Sequence, residues 1–174
     1  VEAPMSIFEV AVILSMIAVN GLFAGYEIAL ASVSLARLQV LAQEKRAGAK
    51  AALHMKQNIE ASLSVVQLGI TLFGAVAAAT GGSGAEERLA PFLEQRLALS
   101  PAAADVCSIV LVVVPLTVVT ILFGELVPKV FALRNQEWLC LRLSPLMRGF
   151  AFPARPLIVF FEWSVQGIVG WMHR

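Results

Sequence analysis

The sequence predicts an all-α membrane protein with three transmembrane helices and flanking interfacial helices, and three observations predict it. Hydrophobic residues fill 59% of the 174 positions and charged residues only 14%, far from the balance of a soluble domain. Mean hydropathy is +0.81. Three stretches, residues 6–35, 59–80 and 102–127, are each apolar over the roughly twenty residues that a bilayer crossing needs. With so much of the chain committed to crossings, no sizeable soluble core fits beside them.

The first segment is long enough to cross with some tilt and carries Gly21, Gly25 and Glu27 inside it. It lacks a basic start and a small-residue cleavage site, so no cleaved signal peptide is expected. Residues 37–58 set Leu38, Leu41, Leu53 and several alanines among charges. That pattern predicts short amphipathic helices, broken at Gly48 and lying along the membrane surface. The second span is expected to end at Gly81–Gly84 (GGSG), a turn signal, with a short amphipathic helix following outside the bilayer. Ser100 and Pro101 open the third span, where Pro115 predicts a kink. Beyond Lys129, the prolines at 145, 153 and 156 predict short interfacial pieces over 129–172. Leu157–Met172 is short for a span and reads as interfacial, a fourth crossing being the alternative.

Charge sets the orientation and excludes several functions. Arg37, Lys45, Arg46, Lys50 and Lys56 follow the first span, and Lys129, Arg134, Arg142, Arg148 and Arg155 follow the third, whereas the remaining loop holds only Arg88 and Arg96. The positive-inside rule then predicts a multi-pass protein of the cell membrane, with its N-terminus outside and its C-terminus cytoplasmic. Glu2, Glu9, Glu86, Glu87, Glu94 and Asp105 fall on the outer side, where they attract cations. A net charge of +1 is too small for a nucleic-acid partner. Cys107 and Cys140 have no metal-ligand spacing and read as free thiols in apolar surroundings. No nucleophile and base pair or phosphate-binding loop is found, so an enzyme is not expected. His54 and His173 lie in polar or terminal segments and are assigned to no metal.

The run FGELVPK (Phe123–Lys129) places an acid at the end of a span. An ionisable group at membrane depth costs about 2.5–3.5 kcal/mol on insertion scales, so it usually faces a bundle interior or a pathway. Pro128 has no N–H, which leaves the Gly124 carbonyl four residues back without its helical partner. A carboxylate at Glu125 beside a freed carbonyl makes a hard-oxygen site suited to sodium, magnesium or calcium. Equally, Glu125 pairs with Lys129 at i,i+4 while Pro128 ends the helix. On the first span Asn20, Ala24, Glu27, Ala31 and Ser34 share a face, beside a stripe of Gly21, Gly25, Ala29 and Ser32. On the second, Ser64, Gln67, Thr71, Gly74 and Ala78 do the same. Close helix packing accounts for the glycines, and interhelical hydrogen bonds account for Gln67 and Thr71 as readily as ion contact does.

The segments NGLFAGYEIALASVSLARLQVLAQEKRAGAKAALHM, VVQLGITLFG and FGELVPK resemble the transmembrane domain of the CorC/cyclin M (CNNM) family, hemolysin-like proteins read as magnesium exporters. The likeness covers nearly the whole chain. Its most specific parts are Gly124, Glu125, Pro128 and Lys129, and Glu27 followed by IAL. The resemblance implies a homodimer with three spans per protomer, a cytoplasmic belt of juxtamembrane helices, and sodium-coupled or facilitated magnesium efflux. It also implies a following CBS-pair domain and a small C-terminal domain, which these 174 residues do not include. Many members carry a serine where Ala24 stands and an asparagine where Ile70 stands, both ion ligands. Ser32, Gln67 or backbone carbonyls near Ala24, Gly25 and Gly69 would have to replace them here.

Three readings follow. A transporter would hold a largely dehydrated divalent cation at Glu125 and the Gly124 carbonyl, with Gly25, Glu27, Ser32 and Gln67 as further ligands and Asn20, Gly21, Thr71, Pro128 and Lys129 shaping or gating the path. A membrane anchor and sensor would carry no flux, and a Glu125–Lys129 pair would support it. An exporter of organic cations such as polyamines would use Glu27 and Glu125 as counter-charges and need aromatic walls, for which Tyr26 is the chain's one tyrosine.

Overall fold

A computed structural model describes residues 7–97 and 100–172. The described residues are helical throughout, apart from short turns. The helices are α1 (Ile7–Ser32), α2 (Leu35–Gln43), α3 (Ala49–Gln57), α4 (Ile59–Leu97), α5 (Pro101–Ile121), α6 (Val127–Arg134) and α7 (Gln136–Met172), with a π-helical turn at Leu122–Leu126 joining α5 to α6. Among the described residues three helices are long and apolar enough to cross a membrane: Ile7–Ser32, Ile59–Gly82 and Pro101–Arg134. In lipid every backbone N–H and C=O must find its partner inside the segment, and a helix does this. Apolar side chains along α5 (Val106, Val110, Val114, Val118) are exposed on the chain, as lipid-facing residues should be. Ser6, Glu2 and His173 lie outside the described residues, as do the side chains of Glu86 and Glu87.

Two expectations about helix ends are corrected. The GGSG at 81–84 does not break α4, which runs on as one helix to Leu97. An open turn there would leave backbone groups unpaired, and Gly81 has a packing reason, since a Cβ on it would collide with the Leu116 side chain. Nor do Pro145, Pro153 and Pro156 cut the last segment into pieces, because α7 passes through all of them. Each proline forfeits one backbone bond, and the helix absorbs the loss. By contrast, the break at Gly48 is where the sequence places it. Ser34 caps α2, its hydroxyl accepting from Arg37 N–H at 3.2 Å. Helix α2 ends in a Schellman motif, with Arg46 N–H on Leu41 O at 3.0 Å and Lys45 N–H on Ala42 O at 3.2 Å. Gly48 then opens α3 at φ +80°, a conformation that glycine adopts without strain. A Cβ there would also overlap the Leu141 carbonyl of α7.

The chain divides into two compact units: Val1–Ala24 with Gly69–Val130, and Gly25–Leu68 with Phe131–Arg174. In the first, Phe23 packs over the bare backbone of Gly69 and against Phe73 at 5.4 Å between ring centroids. Ala90 and Leu93 of α4 close on Ala104 of α5. In the second, α2, α3 and α7 pack together. Lys56 reaches back from α3 and donates to the last carbonyls of α1, Leu30 O at 2.8 Å and Ala31 O at 2.9 Å. Arg37 grips Glu137 through both carboxylate oxygens at 2.8 and 3.2 Å. Buried Tyr26 shares a hydrogen bond of 2.9 Å with Ser144. Cys140 is a buried free thiol, pushed up to about 11 by burial. Cys107 is also free but exposed, so only one of the two thiols is packed as expected.

A candidate cation site at the π turn

The π turn follows from the sequence around Pro128. Val127 N–H bonds Leu122 O, five residues back, which widens the helix by one residue at Leu122–Leu126. Pro128 has no N–H for Gly124, four residues back, or for Phe123, five back. The helix nevertheless continues to Arg134, so Pro128 does not end it. Two small residues make room for the widened turn. Gly124 is buried, and a Cβ on Gly21 would lie 3.0 Å from Pro128 Cγ and 3.3 Å from Phe123 O.

The carbonyl expected to be free for an ion has a partner. Asn20, 3% exposed on α1, donates from Nδ2 to Gly124 O at 3.0 Å. A carbonyl only accepts, so the amide nitrogen must face it and the amide oxygen must face away. That oxygen, Asn20 Oδ1, is buried without a hydrogen-bond partner among the described residues. Such an orphan costs about 1–3 kcal/mol, and native folds keep few of them. Next along the chain, Glu125 is partly buried, with Lys129 Nζ at 3.7 Å from its Oε1 and the two side chains 35% and 30% exposed. The distance is that of a loose ion pair, not of a tight charge-assisted bond.

Of the residues singled out from sequence, Asn20, Gly21, Thr71, Gly124, Glu125, Pro128 and Lys129 belong to one compact unit, and Gly25, Glu27, Ser32 and Gln67 to the other. Ser32, Gln67 and Thr71 are exposed, Glu27 is partly buried and Gly25 is buried. No three of His, Cys, Asp and Glu cluster among the described residues, so a soft-metal centre is not built there. Tyr26 is fully buried with its hydroxyl on Ser144. Sequence reasoning assigned Asn20 only a shaping role, although its place on the polar face of α1, opposite a proline-freed carbonyl, was the available signal. It did not find the grip of Arg37 on Glu137 or the capping by Lys56, which join residues far apart in the chain.

Residues 11–173 match the family described as the cyclin M transmembrane N-terminal domain. The chain belongs to that family. It is 36% identical over 161 residues to the UPF0053 protein sll0260 of Synechocystis, covering 92% of this chain and 36% of that protein. It is 31% identical over 159 residues to the uncharacterized protein Rv1841c of Mycobacterium tuberculosis, covering 90% of this chain and 44% of that one. The chain therefore spans less than half the length of these relatives. As a cyclin M membrane domain it is a multi-pass, lipid-embedded helical protein.

Proposed function

We propose that this domain carries a hard divalent cation, magnesium, across the bilayer, with Asn20 Oδ1 and the Glu125 carboxylate as protein ligands at the π turn. The observation that carries the reading is the buried, unpartnered Oδ1 of Asn20, whose Nδ2 donates to the carbonyl of Gly124, the residue before the Glu125 carboxylate in a crossing helix. An amide oxygen, a carboxylate and retained waters form the oxygen set that magnesium accepts. The cation would displace the Lys129 ammonium from Glu125, exchanging a loose pair for a ligand bond. Cyclin M membership supports efflux through a homodimer, coupling to sodium, control by a CBS-pair domain elsewhere in the full-length protein, and an N-terminus outside the cell.

The test is thermal unfolding of the purified domain titrated with magnesium, sodium and calcium, for wild type and Glu125→Gln, followed by magnesium flux in proteoliposomes. A ligand that binds the folded state alone raises the melting temperature with concentration. Magnesium should stabilise wild type, lose that effect in Glu125→Gln, and move across the membrane only with wild type. A second reading, an anchor and sensor without flux, is favoured by the Glu125–Lys129 pair. Absence of both stabilisation and flux in wild type would establish it instead.

A further inference from the structure

A groove in the second compact unit has no part in cation transport as proposed above. It occupies about 620 Å³ between the end of α3, the first turns of α4 and the middle of α7, a volume in the range of small-molecule sites, about 300–1,000 Å³. Its lining is divided by chemistry. His54, Asn58, Arg148 and Arg155 supply donors, whereas Val65, Phe152, Ile158 and Val159 supply hydrocarbon. Among the described residues no acid lines it and neither arginine has an ion pair.

Its place relative to the bilayer follows from α4. The crossing segment begins at Ile59, so His54 and Asn58 stand before the membrane edge, and Val65 lies about 9 Å into the span at 1.5 Å per residue. Ala154 and Ile158 of α7 pack on Val65. Arg155 is thereby held beside the first turns of the span, with Phe152, 82% exposed, and Val159, 55% exposed, on the same helix. Two arginines beside the first turns of a crossing segment, next to exposed apolar side chains, match a molecule with an anionic head and an acyl tail.

We propose that this groove binds an anionic phospholipid, with Arg148 and Arg155 on the phosphate, His54 and Asn58 at the head group, and Val65, Ile158 and Val159 along an acyl chain. Arginine presents a planar fork of donors to phosphate, and basic pockets between helices at the membrane face are a known way of holding anionic head groups. Bound there, the lipid would bridge α7 to the start of α4.

The test uses the purified domain in neutral micelles, titrated with phosphatidylglycerol, phosphatidylcholine or inorganic phosphate, and read by melting temperature and by native mass spectrometry of retained lipid. Phosphatidylglycerol should stabilise wild type and stay bound, while phosphatidylcholine and phosphate do neither. The double variant Arg148→Gln/Arg155→Gln should bind it roughly thirty-fold more weakly, the sum of two surface cation–lipid attractions. Lys45→Gln/Arg46→Gln removes the same charge away from the groove and should bind as wild type does. Val159→Trp keeps the charge, fills the apolar end and should weaken binding without changing the helical circular dichroism. Equal effects of the two lipids, displacement by inorganic phosphate, or equal losses in the two double variants would overturn the proposal.

Discussion

Asn20 donates its side-chain amide to the Gly124 carbonyl at 3.0 Å, the carbonyl for which Pro128 has no N–H to offer. One substitution therefore touches both the fold and the proposed cation site. Asn20→Leu should leave Gly124 O unpaired in an apolar interior, at a cost of about 1–3 kcal/mol, and abolish stabilisation by magnesium. Asn20→Asp is the discriminating partner, because it keeps an oxygen ligand but places a second acceptor against the carbonyl. It should lower the melting temperature without magnesium and regain part of the loss when magnesium is added. A magnesium response in Asn20→Leu equal to that of wild type would remove Asn20 from the ligand set.

The glycines divide sharply, although all look alike in sequence. A Cβ on Gly21 would meet Pro128 Cγ at 3.0 Å and Phe123 O at 3.3 Å, and one on Gly69 would run into the Phe23 ring, whereas Gly74 has nothing within 4 Å. Gly21→Ala and Gly69→Ala should each destabilise by about 1–3 kcal/mol through overpacking. Gly74→Ala should stabilise by up to about 1 kcal/mol, since alanine is the better helix former. Unfolding of the three variants in the same micelle gives the ranking directly.

The three crossings, and with them the fold class, were legible because hydropathy over twenty residues is a bulk property that no single side chain can reverse. Gly48 was legible because a left-handed turn leaves a local mark. Gly81–Gly84 and the α7 prolines misled for the opposite reason. Local turn preference is worth about 1 kcal/mol at a glycine and about 3 kcal/mol at a proline, and continued backbone pairing with neighbouring packing outweighs it. At the site, the spacing of Pro128 from Gly124 exposed the weak point in the helix. The side chain that fills it could not be read from spacing, because Asn20 lies 104 positions away.

Lys56 donates to Leu30 O and Ala31 O at 2.8 and 2.9 Å, satisfying carbonyls at the end of α1 where the helix dipole favours a cation. Lys56→Met keeps the length of the side chain and removes both bonds, so it should cost about 1.5–3 kcal/mol, the range for hydrogen bonds to charged groups. Hydrogen exchange should localise the loss to the last turn of α1. Uniform loosening of all helices would mean that the lysine acts through bulk packing instead.

The Arg37 guanidinium, which donates to the Glu137 carboxylate, holds that group below its ordinary value of 4.5. A carboxylate depressed in the folded state contributes stability that is complete above its unfolded value and is lost as pH falls through the folded one. Acidification below the ordinary glutamate range should therefore loosen the α2–α7 contact. Glu137→Gln should show no such loss over the same interval. High salt should shrink the difference between the two proteins, because both partners face solvent. Identical acid limbs for wild type and Glu137→Gln, measured by thermal unfolding, would leave the pair without a role in stability.

Lys129 and a bound cation compete for one carboxylate if Glu125 is a ligand. The ammonium stands 3.7 Å from Glu125 Oε1, too far for a strong charge-assisted bond, and the partial exposure of both groups screens it further. Lys129→Gln should therefore leave the fold intact, since a screened pair of this kind contributes about 0.2–1 kcal/mol. It should tighten magnesium binding by about 1.4- to 5-fold, the same energy expressed as an equilibrium constant. If instead Lys129 itself shapes the site, magnesium binding falls in Lys129→Gln while Lys129→Arg retains it. Calorimetric titration of the two variants beside Glu125→Gln separates these cases, because competition predicts opposite signs for the substitutions at 125 and 129.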